Sequence, residues 1–258
     1  MIYDAGTILW RELKRYRKSK SGILTRLMQP VVWIIVVGNT FSGTQPLIES
    51  AGFAGEYVEF MAPGVIVLTA IFTSIFSGVN TLWDRRYGFM NKALSSPISR
   101  PAIALGKMAA ISIVVALQAS LVLGLALAIG ITPPEPAMIA PIMGVVVLFS
   151  LGFSGISVAV AATAKSQETF WGVINFLAMP LFMLSPALFP LRLLPEWLAT
   201  AALFNPVTYA VLLVREMMTG VPEAGIHPLV SLAIVGVMAL FSGAIAARVF
   251  MREASRPF

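Results

Sequence analysis

Six apolar runs dominate this chain, at Leu27–Ser42, Phe60–Leu82, Ile103–Ile131, Met138–Ala164, Thr169–Leu191 and Pro228–Val249. A helix rises about 1.5 Å per residue, so about 20 mostly apolar residues cover the hydrocarbon of a bilayer. The runs therefore predict six transmembrane helices. They consume most of the 258 residues, and no soluble catalytic domain fits between them. The mean hydropathy of +0.86 lies far outside the range of soluble globular domains. The expected fold class is an all-α polytopic membrane protein, with residues 1–258 forming one transmembrane domain.

Charge sidedness sets the expected orientation. Basic residues collect before and at the first run (Arg11, Lys14, Arg15, Arg17, Lys18, Lys20, Arg26) and around the second connection (Arg85, Arg86, Lys92, Arg100, Lys107). Lys165 follows the fourth run, and Arg248, Arg252 and Arg256 close the chain. Of 18 Lys and Arg residues, only Arg192 and Arg215 fall on the other side. The positive-inside rule then puts both termini in the cytoplasm. The pI near 9.9 is thus a topology signal and an attraction to anionic lipid, and no nucleic-acid partner is expected. The first residues lack the continuous apolar core of a signal peptide. With no cysteine, disulfides, thiol catalysis and cysteine metal sites are excluded. His227 stands alone beside Pro228, so no metal site is expected.

Three segments between or before the runs carry patterns of their own. Residues 1–20 read as an amphipathic interfacial helix, with Ile2, Leu9, Leu13 and Tyr16 on one face and Arg11, Lys14, Arg15 and Lys18 on the other. It suits a topology anchor or a partner contact equally. Residues 186–225 form an external region where Pro186, Pro190 and Pro195, with Pro180 before them, interrupt the apolar sequence. A further full crossing there would put the basic C-terminus outside, so short helices that dip into the outer leaflet and return are expected. Arg215 and Glu216 sit in this region, and a charge at that depth costs about 2.5–3.5 kcal/mol unless it finds water or a partner. The third segment, residues 84–98, is too polar to cross lipid. Tyr87, Phe89, Met90, Ala93 and Leu94 form an apolar arc interrupted by Arg86, opposite Asp84, Arg85, Asn91 and Lys92. Such a helix can dock on a soluble partner or lie on lipid.

"WDRRYGFMNKALSSPISR" resembles the signature of type-two permeases of ATP-binding-cassette exporters, the daunorubicin-resistance branch in particular. The matching positions are Asp84, Arg85, Gly88, Phe89, Leu94, Ser96, Pro97, Ser99 and Arg100. The preceding "APGVIVLTAIFTSIFSGVNTLW" is similar to that family's second span, and Asn205, Pro206, Thr208 and Tyr209 resemble its outer segment. Asn91 and Lys92 depart from the acidic residue often found after Gly-Phe. The resemblance implies a permease in the prokaryotic-type cell membrane, acting as a homodimer with two ATPase subunits to export an amphipathic drug, lipid or glycan. It implies that residues 84–98 are the coupling helix, with Asp84, Arg85, Gly88, Phe89, Met90, Leu94, Pro97 and Arg100 serving ATPase coupling. It also brings Asn205, Pro206, Thr208, Tyr209, Arg215 and Glu216 into the outer segment.

The residues agree that phosphoryl chemistry lies elsewhere. The one Gly-Lys pair, Gly106-Lys107, has Pro101 where a phosphate-cradling loop needs Gly, and Met108 where it needs Ser or Thr. No cofactor or catalytic residue is expected in this chain, and ATP with Mg²⁺ would be bound by the partner ATPase. For the translocation path, Thr69, Phe72, Thr73, Phe76 and Asn80 share one face of the second span. Trp171, Asn175, Ala178 and Phe182 share one of the fifth. Aromatic rings with a few amides or hydroxyls suit an amphipathic substrate, and they equally suit helix packing. An ion-coupled secondary transporter would need paired ionisable residues in mid-span, which the runs lack. An intramembrane enzyme lacks its side-chain cluster, and a non-transporting scaffold stays open.

Overall fold

A helix that is apolar all round suits the inside of a bundle or a membrane span. Both cases occur in the computed structural model. It describes residues 2–19, 28–41, 43, 45–50, 52–53, 55–95, 98–222 and 225–253, which are helical with no strand among them. In chain order the helices are α1 (Ile2–Lys18), α2 (Met28–Thr40), α3 (Gln45–Ser50), α4 (Tyr57–Phe76), α5 (Val79–Arg86) and α6 (Phe89–Ser95). They continue with α7 (Arg100–Ala128), α8 (Pro136–Thr163), α9 (Gln167–Met183), α10 (Glu196–Leu203), α11 (Pro206–Thr219) and α12 (Pro228–Glu253).

Four of these are long and apolar enough to cross a bilayer: α4 with α5 as one span over Tyr57–Arg86, then α7, α8 and α12. The α4–α5 span is the axis of the bundle, with 89% of its most apolar stretch buried, against 28% for α12. Apolar side chains such as Val237, Leu240 and Phe241 account for the exposure of α12. The central helices touch through small polar residues. Ser74 donates to Ser150 at 3.0 Å, Ser150 to Ser112 at 3.1 Å, and the Gly78 N–H to Ser157 Oγ at 3.1 Å. Hydroxyls of this size let backbones approach while the hydroxyls themselves stay bonded.

The two remaining runs differ from expectation. Among the described residues the first is helical over Met28–Thr40, with a π-turn at Trp33–Val37. The fifth was expected to reach Leu191, but α9 ends at Met183 after 17 residues. Pro180 removes a backbone donor in its last turn, and Pro186 and Pro190 prevent the helix from resuming. The outer segment is the expected pair of short helices, α10 and α11, bent by 89°.

The N-terminal helix also differs in its orientation. Ile2 is 88% exposed, and the face turned to the protein is Ile8, Glu12 and Tyr16. The reason is a close approach to α7: a Cβ on Gly106 would lie 2.6 Å from the Ala5 carbonyl oxygen and 2.8 Å from Ile8 Cβ. Gly106→Val is therefore expected to lever α1 off the bundle, at a cost of about 1–3 kcal/mol. The chain has no native cysteine, so a cysteine placed at Ile8 reports directly. It should resist maleimide in the parent and react in the Gly106→Val background.

Candidate coupling and transport site

At one end of the bundle the N-terminal helix, the α4–α5 span and α7 meet in a cluster of five charges. Asp84 and Glu12 are each 4% exposed, and Lys107 is 2% exposed between them. Lys107 Nζ donates to Glu12 Oε1 at 3.0 Å and to Asp84 Oδ2. Arg11 donates to Asp84 Oδ1 at 2.8 Å and to Glu12 Oε1 at 2.8 Å. Arg15 donates to Glu12 Oε2 at 2.6 Å and to Asp84 Oδ1 at 3.1 Å. Three cations around two carboxylates leave neither acid unpaired, which is the condition for burying charge at all. The amphipathic wheel had assigned Arg11 and Arg15 to the headgroup side, and they turn inward because their partners lie on other helices.

The cluster reaches the segment expected to couple. The Arg11 guanidinium stands 3.3 Å from the centre of the Phe89 ring. Beyond α6, at the residue that caps α7, Asp4 accepts from the Ser99 N–H at 3.2 Å and from the Ser99 hydroxyl at 3.1 Å. Those hydrogen bonds, the backbone one foremost, hold the Asp4 carboxyl below its ordinary value. So α1 touches the start of α6 and the cap of the helix that follows it. Gly88, at φ +70°, makes the corner between α5 and α6, a conformation that L side chains adopt at a cost. This corner splits the helix expected over 84–98. Tyr87 falls before the break, 75% exposed and stacked on Trp83 at 5.5 Å, and so leaves the apolar arc. Met90 and Ala93 are buried as that arc requires, while Lys92 and Arg100 are exposed. Pro97 and the Leu94 side chain lie outside the described residues.

Arg85 occupies a different position from Asp84. Its guanidinium donates to the carbonyls of Ala161 (3.4 Å), Ala162 and Ala164 (3.3 Å), which end α8 with no helical partner. Asp84 and Arg85 thus tie the end of the central span to α1, α7 and α8.

The expected path residues are brought together in part. Phe72 stacks on Phe76 at 5.8 Å, Phe76 meets Trp171 at 5.6 Å, and Phe72 meets Phe182 at 5.8 Å. Phe182 in turn meets Trp33 of α2 at 5.6 Å. The result is an aromatic ladder joining α2, α4 and α9. A cavity of about 70 Å³ lies beside it, lined by Gln29, Thr69, Phe72, Thr73, Phe76 and Ser77. The Thr69 hydroxyl donates to Val65 O at 2.8 Å within its own helix. Asn175 is exposed and donates to Trp171 O at 2.9 Å, while Asn80 lies apart, towards Glu12 and Lys107.

In the outer segment, each member of the Asn-Pro-x-Thr-Tyr pattern has a local task. Asn205 caps α11 by accepting from the Val207 N–H at 3.0 Å, and its amide donates to Leu181 O at 2.7 Å. Pro206 opens α11 where no donor is needed. The Thr208 and Tyr209 hydroxyls donate to Ala202 O and Leu203 O, both at 2.7 Å, satisfying the last carbonyls of α10. These four residues build the bend. Arg215, 2% exposed, donates from Nε to Phe60 O at 3.1 Å and from Nη2 to Pro186 O at 2.6 Å, with its guanidinium 3.7 Å from the Phe60 ring centre. Glu216 is half-buried, and its carbonyl accepts from the Gly220 N–H that ends α11.

Sequence reasoning missed Glu12 altogether and read Lys107 as one more topology charge. The available signal was oppositeness: one acid inside a basic helix, and one lysine seven residues into an apolar one.

Residues 3–219 match the family model described as ABC-2 type transporter. The chain is 29% identical over 191 residues to a transport permease of Cyanophora paradoxa, an alignment covering 73% of this chain and 65% of that one. It is 24% identical over 238 residues to the daunorubicin resistance ABC transporter permease protein of Streptomyces coeruleorubidus, covering 90% and 82%. Nodulation protein J of Rhizobium leguminosarum bv. trifolii is 26% identical over 223 residues, covering 86% and 81%.

Proposed function

This chain belongs to the ABC-2 type transporter permease family, and from that premise we propose that it is the membrane subunit of an ATP-driven exporter worked by separate ATPase subunits. Two copies of the permease pair with two ATPases that hold ATP and Mg²⁺. Six helices cross the bilayer, with α2 and α9 as the shorter pair, and both termini face the cytoplasm with the basic end. Tyr3, Trp10, Lys14, Arg17 and Lys18 are exposed on the outer face of α1, a pattern suited to headgroup contact. The cargo is amphipathic and passes along the aromatic ladder.

The observation that supports coupling is the contact of α1 with the start of α6 and with the cap of α7. Arg11 lies over the Phe89 ring where α6 begins, and Asp4 holds Ser99 where α7 begins, so a displacement of α6 is passed to α1. Force on α6 reaches the central span through Asp84 and α7 through Lys107. In this reading Asp84 and Arg85 fix the base, Gly88 sets the corner, and Phe89 and Met90 hold the inner face. Leu94, Pro97 and Arg100 complete the ATPase side.

Gly88→Glu tests this directly. The substitution forces a side chain into the left-handed region at a site where a Cβ meets no other atom, so the strain falls on the corner. In proteoliposomes holding permease and partner ATPase, substrate-stimulated ATP hydrolysis and export should fall by about tenfold or more. The amount of inserted protein should stay as in the parent. Undiminished export would refute the assignment of α6.

A further inference from the structure

Near the basic end, beside the charge cluster, an open groove of about 550 Å³ lies between the end of the central span and the start of α9. Trp83, Arg85 and Arg86 line one side of it, and Lys165, Ser166 and Gln167 the other. We propose that this groove binds the anionic head of the amphipathic cargo, a phosphate or a group of like charge, before the cargo moves onto the aromatic ladder. The proposal rests on the transport reading above and narrows its substrate class.

Charge balance is the first argument. Arg11, Arg15 and Lys107 are each paired with Glu12 and Asp84 in the buried cluster. The groove has three cations and no carboxylate in its lining. Arg85 is held by three carbonyl oxygens, which fix it at the wall of the groove. Neither Arg86 nor Lys165 is in an ion pair with a described residue. Arg86 lies 5.6 Å from the Trp83 ring centre, and Lys165 is exposed. Asp84, next to Arg85 in sequence, is held in the buried cluster, and Glu168, the acid nearest Lys165, is exposed in the first turn of α9; both lie outside the lining. A cationic drug would meet net repulsion here, while a phosphate would meet charge-assisted donors.

Continuity is the second argument. Gln167 stands one helical turn before Trp171, about 6 Å along α9. From Trp171 the rings run through Phe76 and Phe72 to Phe182 and Trp33. A head held in the groove therefore leaves its apolar part at the foot of the ladder. The volume falls within the range of about 300–1,000 Å³ usual for small-molecule sites.

The test uses the full chain in nanodiscs of phosphatidylcholine, with binding followed by calorimetry and no ATPase present. The probes are dodecyl phosphate, dodecyltrimethylammonium and inorganic phosphate. The parent should bind dodecyl phosphate about tenfold or more tighter than the ammonium probe of equal tail. Arg86→Gln with Lys165→Gln should remove that preference, and Arg248→Gln with Arg252→Gln, exposed on α12, should leave it. Repeating the measurement in discs containing phosphatidylglycerol identifies the source: competition assigns the groove to a bilayer lipid, and its absence to an amphiphile from solution. Equal affinity for both heads would overturn the proposal. So would tight binding of inorganic phosphate alone, or a double variant that keeps the preference. Loss of ATPase co-purification in that variant would instead make the groove an ATPase seat and also overturn it. Because binding is read without the ATPase, failure of the exporter reading would show separately, as an ATPase that never associates.

Discussion

Asp84→Ala is expected to destabilise the bundle by about 3–5 kcal/mol, the usual cost of removing one partner from a buried ion pair. Asp84 accepts from Arg11, Arg15 and Lys107, and its loss leaves those three cations with Glu12 alone. Arg11 and Arg15 can turn to water, since their side chains are 32% and 34% exposed. Lys107 is 2% exposed and has no such route. The midpoint of thermal unfolding in detergent should therefore fall markedly for Asp84→Ala, and Asp84→Ala with Lys107→Met should recover a large part of the loss. That recovery is the signature of an unpaired charge, because a cavity or a lost contact would be deepened by the second truncation. A loss within about 1 kcal/mol would show that the cluster behaves as a surface pair. The same cycle separates the two roles of Asp84. If it acts on transport only by holding α1 and α7, the double variant should regain coupling along with stability.

Arg215→Met should cost about 3 kcal/mol or more and open the outer segment. Where the chain leaves α9, residues 184–190 have no helix to satisfy their carbonyls, and Arg215 is buried beside them. Arg215 supplies the donors for Pro186 and also lies 3.5 Å from the Ala187 carbonyl, while its Nε serves Phe60. Methionine matches its length and fills the space over the Phe60 ring but donates nothing. Each buried carbonyl left without a partner costs about 1–3 kcal/mol. Arg215→Lys should retain part of the stability, because a single ammonium cannot reproduce the planar fork. A cysteine at Ala187, which is fully buried, should stay silent to maleimide in the parent and react in Arg215→Met. Protection in both would show that the break is held by packing alone.

Much of the architecture was legible from local pattern. Four spans and the proline-broken outer segment follow from apolar run length and proline position. The aromatic face of the central span was readable too, since Phe72 and Phe76 recur at helical spacing. The Asn205–Tyr209 pattern was recognisable as a motif, but its work in capping two helix ends was not. The errors have one cause. Residues 1–20 were read as a helix with a wet charged side because a helical wheel has only water to offer an arginine. Tyr87 was placed on the coupling arc because a wheel assumes continuous α-helix, and Gly88 at φ +70° interrupts it.

Composition and the order of charges thus determined, by themselves, that this chain is a helical membrane protein with one strongly basic end, because lipid demands long apolar helices. Only the tertiary structure decided where the buried charges go. Glu12 meets Lys107 across 95 residues of sequence, and Arg11 meets Asp84 across 73. A charge can leave water only beside a partner, and that partner is set by how helices pack, which no single helix encodes.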